Sequence, residues 1–315
     1  GVLMTDDKPM HLTRRGWLAL LGAAALTPPF AVAHAEGKRV LVLLSSADDR
    51  TIAITQAFKA GLKGGLVMTY DLGQQTDAGA FIADNIRGME VSLVFAVGDL
   101  AARAASREFS TVPIIHAEVQ DTTSLVERPG LEAVSSWPDP AQSIERLAKV
   151  IRPLNSVGLV RTARTSPQVD AVVEAGKAQG VQINTRGASG ASDLENAVAG
   201  LLAESDVVWL LPDAAVLTSS LLAKLLHKAH VEQKLIATWS TDHFKGSQPA
   251  ALAISTGPDG VGSAAAERVS ELLAGTTDMK PVYAPPELYG HFATLRRARV
   301  TVNKSVAAEF DGLER

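Results

Sequence analysis

The chain contains no cysteine. That absence removes disulfide staples, thiolate metal sites and cysteine nucleophiles together, and it removes a lipid-modified cysteine as an anchor. Aromatic residues are scarce as well, at 5% of 315 positions, so a tryptophan in a loop stands out as a candidate contact. Neither sign of charge dominates: 30 Lys and Arg against 34 Asp and Glu leave a net charge of −4 and a pI of about 6.0. Such a balance offers no basic footprint for nucleic acid. After residue 36 no apolar run is long enough to cross a bilayer, so the body of the chain is not read as membrane-embedded. What is plentiful is apolar content, 46% of residues, ample for two medium α/β domains or one large one.

The first 35 residues read as an address. Thr13-Arg14-Arg15-Gly16-Trp17-Leu18 sets two arginines before the apolar run Trp17–Leu26, whose length of about ten residues suits a signal-peptide core and not a membrane span. Pro28 and Pro29 break the run, and Ala33-His34-Ala35 supplies a small-x-small cleavage pattern. The paired arginines resemble a twin-arginine leader. A buried N-terminal helix with two basic caps is the plainer alternative, but it does not account for the order of flank, core, breaker and cleavage site. The leader predicts an exported, periplasmic protein whose mature part begins near Glu36. Residues 1–11 read as an upstream extension, with Met4 and Met10 each a candidate start.

Short β-rich runs then alternate with amphipathic stretches. Val40–Leu44, Leu66–Tyr70, Val91–Val97 and Val112–Ala117 read as strands, with helices over Ile52–Leu62 and Ala78–Ile86 between the first three. A second series follows Leu131–Ser136. Its predicted helices are Pro140–Ile151, Val169–Gln179, Ser192–Leu202, Val216–His230 and Val261–Leu273, and its strands are Val157–Val160, Val181–Asn184, Val207–Leu211, Leu235–Thr238, Ala250–Ser255 and Val300–Val302. The predicted class is α/β, with two doubly wound parallel sheets in tandem. Ligands of such sheets sit beyond the carboxyl ends of the strands, which singles out loops 45–50, 98–101, 118–122, 135–139, 161–166, 212–215, 239–243 and 256–260.

Several segments in order resemble one family of ABC-transporter substrate-binding proteins, some of whose members bind tryptophan, tyrosine or phenylalanine. Asp139-Pro140-Ala141-Gln142-Ser143-Ile144-Glu145-Arg146-Leu147 is similar to the helix opening that family's second lobe. Asn155–Val160 resembles the strand after it, Ser192–Ala197 a helix start, Pro212-Asp213-Ala214-Ala215-Val216 a Pro-Thr-Asp-x-x-Val segment, and Val302–Ala307 an Asn-x-x-x-Ala ending. The likeness spans Lys38–Phe310. It implies the type I periplasmic-binding-protein fold, with two lobes joined by a three-crossover hinge near Ser136, Ser255 and Pro285. The first lobe would be 36–135 plus 256–285, and the second 136–255 plus 286–315. It also implies no enzymatic activity and no cofactor, with a small solute, an ABC permease and an ATPase as partners. Two loops depart from the pattern. Gly98-Asp99-Leu100 stands where the family shows a Gly-Thr-Pro-like turn, and Arg161–Ser166 where it shows Asn-Pro and an acidic residue.

The predicted ligand contacts are Ser45, Ser46, Asp99, Trp137, Asp213, Trp239 and Asp242. Asp213 and Asp242 follow strands of the second lobe, where a carboxylate can pair with a ligand ammonium. The competing reading for Asp213 is a cap for the helix after it. Trp239 is read as a stacking platform, and Trp137 leans toward packing because it adjoins a crossover. Ser45 and Ser46 can bind a carboxylate, while Asp48 reads as a helix cap. Asp48, Asp99, Asp121, Asp213 and Asp242 together point to a solute with a positive group. Arg161 and Arg164 can clamp a carboxylate or lie as solvated charge.

His227 and His230 share a helix face without a third metal ligand, so no metal is expected. Gly260–Ala265 mimics a dinucleotide fingerprint but reads as close helix packing. The function these residues imply is capture of an amino-acid-like or aromatic solute by closure of two lobes, with an orphan periplasmic receptor as the alternative and a cofactor enzyme as a distant third.

Overall fold

The computed structural model describes residues 10–11, 37–75, 77–86, 89–120, 122–278 and 280–315. The leader read at residues 1–35 therefore lies outside the described residues, apart from Met10–His11, and so does Asp121. The chain divides into two compact units. Unit 1 holds the described residues up to Ser136 together with Pro258–Ala284, and unit 2 holds Trp137–Gly257 with Pro285–Arg315, so the chain passes between them three times.

Unit 1 is built on a seven-stranded sheet. Its strands are β1 (Met10–His11), β2 (Arg39–Leu44), β3 (Leu66–Asp71), β4 (Val91–Val97), β5 (Ile114–Ala117), β6 (Leu131–Pro138) and β12 (Val282–Ala284), in the order β1-β3-β2-β4-β5-β6-β12. The β2–β3, β2–β4, β4–β5 and β5–β6 pairs are parallel. Val40 to Leu44 are all 0% exposed, the expected state of a strand covered on both faces. One face packs Val40, Val42, Leu44, Phe95 and Ile115 under α1 (Asp49–Gly61) and α8 (Pro258–Leu273). The other packs Leu41, Leu43, Val94 and Ala96 with α2 (Ala78–Ile86) and α3 (Asp99–Glu108).

Helix α1 begins three residues before the predicted Ile52, because Asp48 and Thr51 form a reciprocal capping box. Strand β5 starts at Ile114, two residues late, because Pro113 precedes it and lacks an amide for the ladder. In α8 a Cβ on Gly262 would lie 2.2 Å from the Ile54 carbonyl oxygen of α1, so the fingerprint-like Gly260–Ala265 stretch serves close helix packing.

Unit 2 has a second seven-stranded sheet, of β7 (Ser156–Arg161), β8 (Gln182–Gly187), β9 (Val207–Trp209), β10 (Leu235–Thr238), β11 (Leu252–Thr256), β13 (Pro286–His291) and β14 (Gly312–Glu314). The order is β14-β13-β11-β10-β9-β7-β8. It is mixed and not wholly parallel, since β11 and β13 run antiparallel. Helices α4 (Pro140–Val150) and α5 (Ser166–Gln179) cover one face with Val157, Leu159 and Trp209, and α6 (Ala191–Glu204) and α7 (Ser219–Val231) cover the other with Val208, Leu210 and Ile236. Short helices α9 (Phe292–Arg297) and α10 (Lys304–Ala307) close the chain.

Three expectations are corrected here. The helix predicted over Val216–His230 begins at Ser219, where the Thr218 hydroxyl accepts from the Leu221 amide. Val216 and Leu217 are buried without being helical. The predicted strand Val300–Val302 is not a strand. Val300 and Val302 pack on the unit 2 core between α9 and α10, and β13 and β14 supply the closing strands. Helix α6 likewise starts at Ala191 behind an uncapped Gly190, while Asp193 in its first turn accepts from Ser189.

Candidate functional site

Each unit presents a set of loops at the carboxyl ends of its parallel strands. In unit 1, β2 delivers Ser45 to Asp48 and β4 delivers Gly98 and Asp99. Ser45 is 7% exposed, and its Oγ accepts from the Ala101 amide at 2.9 Å, satisfying one free donor in the first turn of α3. Among the described residues its own proton has no acceptor. Gly98 makes this approach possible: it lies at φ 92°, and a Cβ there would fall 2.6 Å from Ser45 Oγ. Ser46 donates to Asp48 Oδ2 at 3.3 Å, and Asp48 accepts from the Thr51 amide at 2.8 Å, which confirms the cap reading for Asp48. Asp99 accepts from the Gln120 amide at 2.9 Å, tying α3 to the loop after β5.

A feature the sequence did not announce joins these loops. Arg50 holds Glu118 in a two-pronged pair, Nε to Oε2 at 2.7 Å and Nη2 to Oε1 at 3.0 Å. Glu118 sits in the left-handed region at φ 57°, a position that a non-glycine residue occupies only at some cost. Both residues fell within predicted loops, yet 68 positions separate them, and no local pattern pairs them.

In unit 2 the centre is Asp213, 6% exposed, in the loop after β9. Its Oδ2 accepts from Thr162 Oγ1 at 2.6 Å and its Oδ1 from the Ala215 amide at 3.1 Å. Thr162 and Thr165, 6% and 1% exposed, bond each other at 3.1 Å, so the loops after β7 and β9 share one buried polar network. Asp213 thus caps its own turn and not the following helix. Among the described residues it has no cationic partner. Beyond β10, Trp239 is half-buried against the α6–α7 core and meets the His243 ring edge-on, with centroids 4.6 Å apart. Burial lowers the His243 pKa, against a smaller opposing pull from Asp242, and His243 Nδ1 is buried without a partner among the described residues.

The remaining predicted contacts lie in more ordinary settings. Asp242 is exposed and paired with Lys245 at 2.6 Å, and that bond and charge hold its carboxyl below the usual range. Trp137 packs against the unit 2 core, as its position by a crossover led one to expect. Arg161 binds Asp170 at 2.7 Å, and Arg164 is exposed. His230 accepts from Arg297, and among the described residues no group of three or more His, Asp or Glu is placed to hold a metal.

Two units, each a sheet with helices on both faces, are linked by three chain crossings and carry polar loops at the strand ends, the framework of a two-lobed α/β protein. A family model described as ABC transporter substrate binding protein matches residues 48–309. The chain belongs to that family, a class of solute-binding proteins without enzymatic activity that are typically periplasmic and work with an ABC permease and a small-molecule ligand. No curated relative matches the sequence.

Among solved structures, the ligand-free, open form of a substrate-binding protein with adhesive properties from Clostridium difficile gives a TM-score of 0.58 at 17% identity, covering 88% of this chain and 99% of that one. A conserved domain protein from Vibrio cholerae gives 0.49 at 16% identity, covering 88% and 100%. An ABC domain from Streptococcus pneumonia in complex with L-Trp gives 0.47 at 15% identity, covering 87% and 100%. At such identities the likeness concerns the fold, which is the type I periplasmic-binding architecture. No helix among the described residues is long and apolar enough to cross a membrane.

Proposed function

We propose that this chain is the solute-capturing component of an ABC importer, exported by the leader in residues 1–35 and specific for a small amino-acid-like or aromatic solute taken between its two lobes. Asp213 carries the reading. A buried carboxylate held by a hydroxyl and an amide, with no counter-charge among the described residues, is costly to keep, and a ligand ammonium would offset that cost. Trp239 offers a broad ring beside it in the sheet order, because β9 and β10 are neighbours. On the other lobe, Ser45 keeps a hydroxyl proton for a ligand carboxylate and Ser46 lies beside it. Asp99, Trp137 and Asp242 rank below these: Asp99 ties α3 to the loop after β5, Trp137 packs on the unit 2 core, and Asp242 is exposed and ion-paired with Lys245. A solute that contacts both lobes shifts an open–closed equilibrium toward closure, and the permease and ATPase read the closed form.

The test is a calorimetric and thermal-shift screen of the mature chain against amino acids, amines and nucleosides at about 1–10 mM. A ligand present at about 100 times its Kd stabilises the folded state by roughly 2.7 kcal/mol, well above detection. We expect an amino acid to raise the Tm, and Asp213→Asn to abolish that rise while leaving the apo Tm within a few degrees. If no member of the panel moves the Tm, or if the Asn variant binds as well as the native chain, the reading is wrong.

A further inference from the structure

We propose that unit 1 carries a second ligand site, beneath the connection from β5 to β6, which takes a small monocarboxylic acid with an apolar tail. The site is a pocket of about 530 Å³ lined by His116, Thr122, Leu125, Glu127, Arg128, Leu131 and Ala133. It runs along a face of the sheet. His116 and Ala133 are register partners on β5 and β6, and Leu131 pairs with Ile114 at the start of β5, the end away from the functional loops. On this face α2 and α3 cover β2 and β4. Toward β5 and β6 the connection 122–130 takes the place of a helix and leaves space beneath it.

That connection is fastened at several points. Leu125 is buried, and Val126 donates its amide to Ser106 Oγ on α3 at 3.3 Å. Arg128 then spends both Nη groups on backbone carbonyls, those of Ser110 and Pro129 from Nη1 and those of Phe109 and Val112 from Nη2. All four acceptors are neutral, so the guanidinium charge has no carboxylate partner among the described residues.

Among the described residues, two buried polar atoms in the lining have no hydrogen-bond partner, Arg128 Nε and His116 Nδ1. His116 is 6% exposed, and burial pushes its pKa down to about 4, so near pH 7 its ring is neutral, with one nitrogen a donor and the other an acceptor. Buried donors and acceptors are nearly always satisfied in folded proteins, and exceptions call for a missing group. One carboxylate meets both needs: it accepts from Arg128 Nε and from His116 Nδ1 in the tautomer that carries its proton there. Leu125, Leu131 and Ala133 provide the apolar wall for a tail. Glu127, exposed at the rim, disfavours a second negative charge, which selects a monoacid over a diacid. A pocket of this volume is of the size that small ligands occupy.

The experiment uses the full mature chain, isotope-labelled, with hexanoate as the probe and the His116 ring nitrogens and Arg128 Nε–H as reporters. Saturable shifts of both resonances are expected, with hexanamide and hexanol at least about tenfold weaker. Ala133→Trp, a change at an exposed position, is expected to fill the pocket and abolish the shifts without lowering the Tm. An excess of the amino acid found in the preceding screen is expected to leave the hexanoate shifts unchanged, which separates this site from the one containing Asp213. The proposal is overturned by the absence of saturation up to about 50 mM, by an equal response to hexanol, or by shifts that persist in the Trp variant.

Discussion

Gly98 turns the chain from β4 into α3 at φ 92°, and the same residue leaves room for Ser45 Oγ to reach the Ala101 amide. Gly98→Ala introduces both a left-handed non-glycine backbone and a contact of 2.6 Å with Ser45 Oγ, so a loss of about 1–3 kcal/mol is expected from urea unfolding. Ser45→Ala removes only the acceptor and is expected to cost about 1 kcal/mol. Equal losses in the two variants would mean that the Gly98 turn carries no steric demand. At this scale the sequence was readable where a residue's partner is close along the chain. Asp48 was legible as a cap because it stands just ahead of the apolar-periodic stretch that begins at Ile52, and the structure adds the Thr51 box. Asp213 was only half legible. Its place after a strand identified it, but its partner Thr162 lies 51 residues away, and the apolar Val216 and Leu217 imitate a helix start while they fill the core. The Arg50–Glu118 pair left no signal, since nothing in either segment requires the other.

Helix α8 and strand β6 are joined by an ion pair buried to 1% and 5% exposure, Arg268 Nε to Glu132 Oε2 at 2.6 Å, with a second prong at 2.8 Å. Arg268 also holds Glu271 at 3.0 Å and the Asp278 carbonyl at 2.7 Å. Arg268→Met is expected to destabilise by about 3–5 kcal/mol because Glu132 is left charged and buried, whereas Arg268→Met with Glu132→Leu is expected to recover most of that loss. Chemical denaturation of both variants decides it: a double variant as unstable as the single one would show that the pair holds α8 through geometry that hydrophobes cannot replace.

Elements were legible in proportion to how uniformly they are buried. Strands β2, β4 and β7 are built on largely apolar, buried runs, and the sequence marks them within a residue or two. Strand β13, Pro-Glu-Leu-Tyr-Gly-His, begins with proline, contains glycine and buries only alternate positions. It is specified by its partner β11 and not by its own composition. Val300–Val302 has the opposite character: strand-like residues that meet the core as extended chain with no ladder to join.

At the scale of the molecule, neither unit is a continuous stretch of chain. Unit 1 recovers α8 and β12 after the chain has built most of unit 2, and unit 2 recovers β13 and β14 after that. Residues 137–257 alone would therefore lack β13, which pairs with β11 at five positions from Leu252–Gly290 to Thr256–Pro286. They would also lack Leu288, Leu295 and Val306 from the unit 2 core. Such a fragment exposes a long sheet edge and an opened core, and it is expected to give a poorly dispersed NMR spectrum and no cooperative melt. The register supplies the remedy. Thr256 faces Pro286 across the antiparallel pair, so deleting 258–284 and joining Gly257 to Pro285 through a Gly-rich turn of about two to five residues converts β11 and β13 into a hairpin. The joined chain is expected to melt cooperatively and to retain the Thr162–Asp213 network, visible as slow exchange of the Ala215 amide. A fragment 137–257 that folds by itself would show that β13 and β14 decorate unit 2 without completing it. Failure of the joined chain while the full protein folds would show instead that unit 2 needs unit 1 to reach its native state.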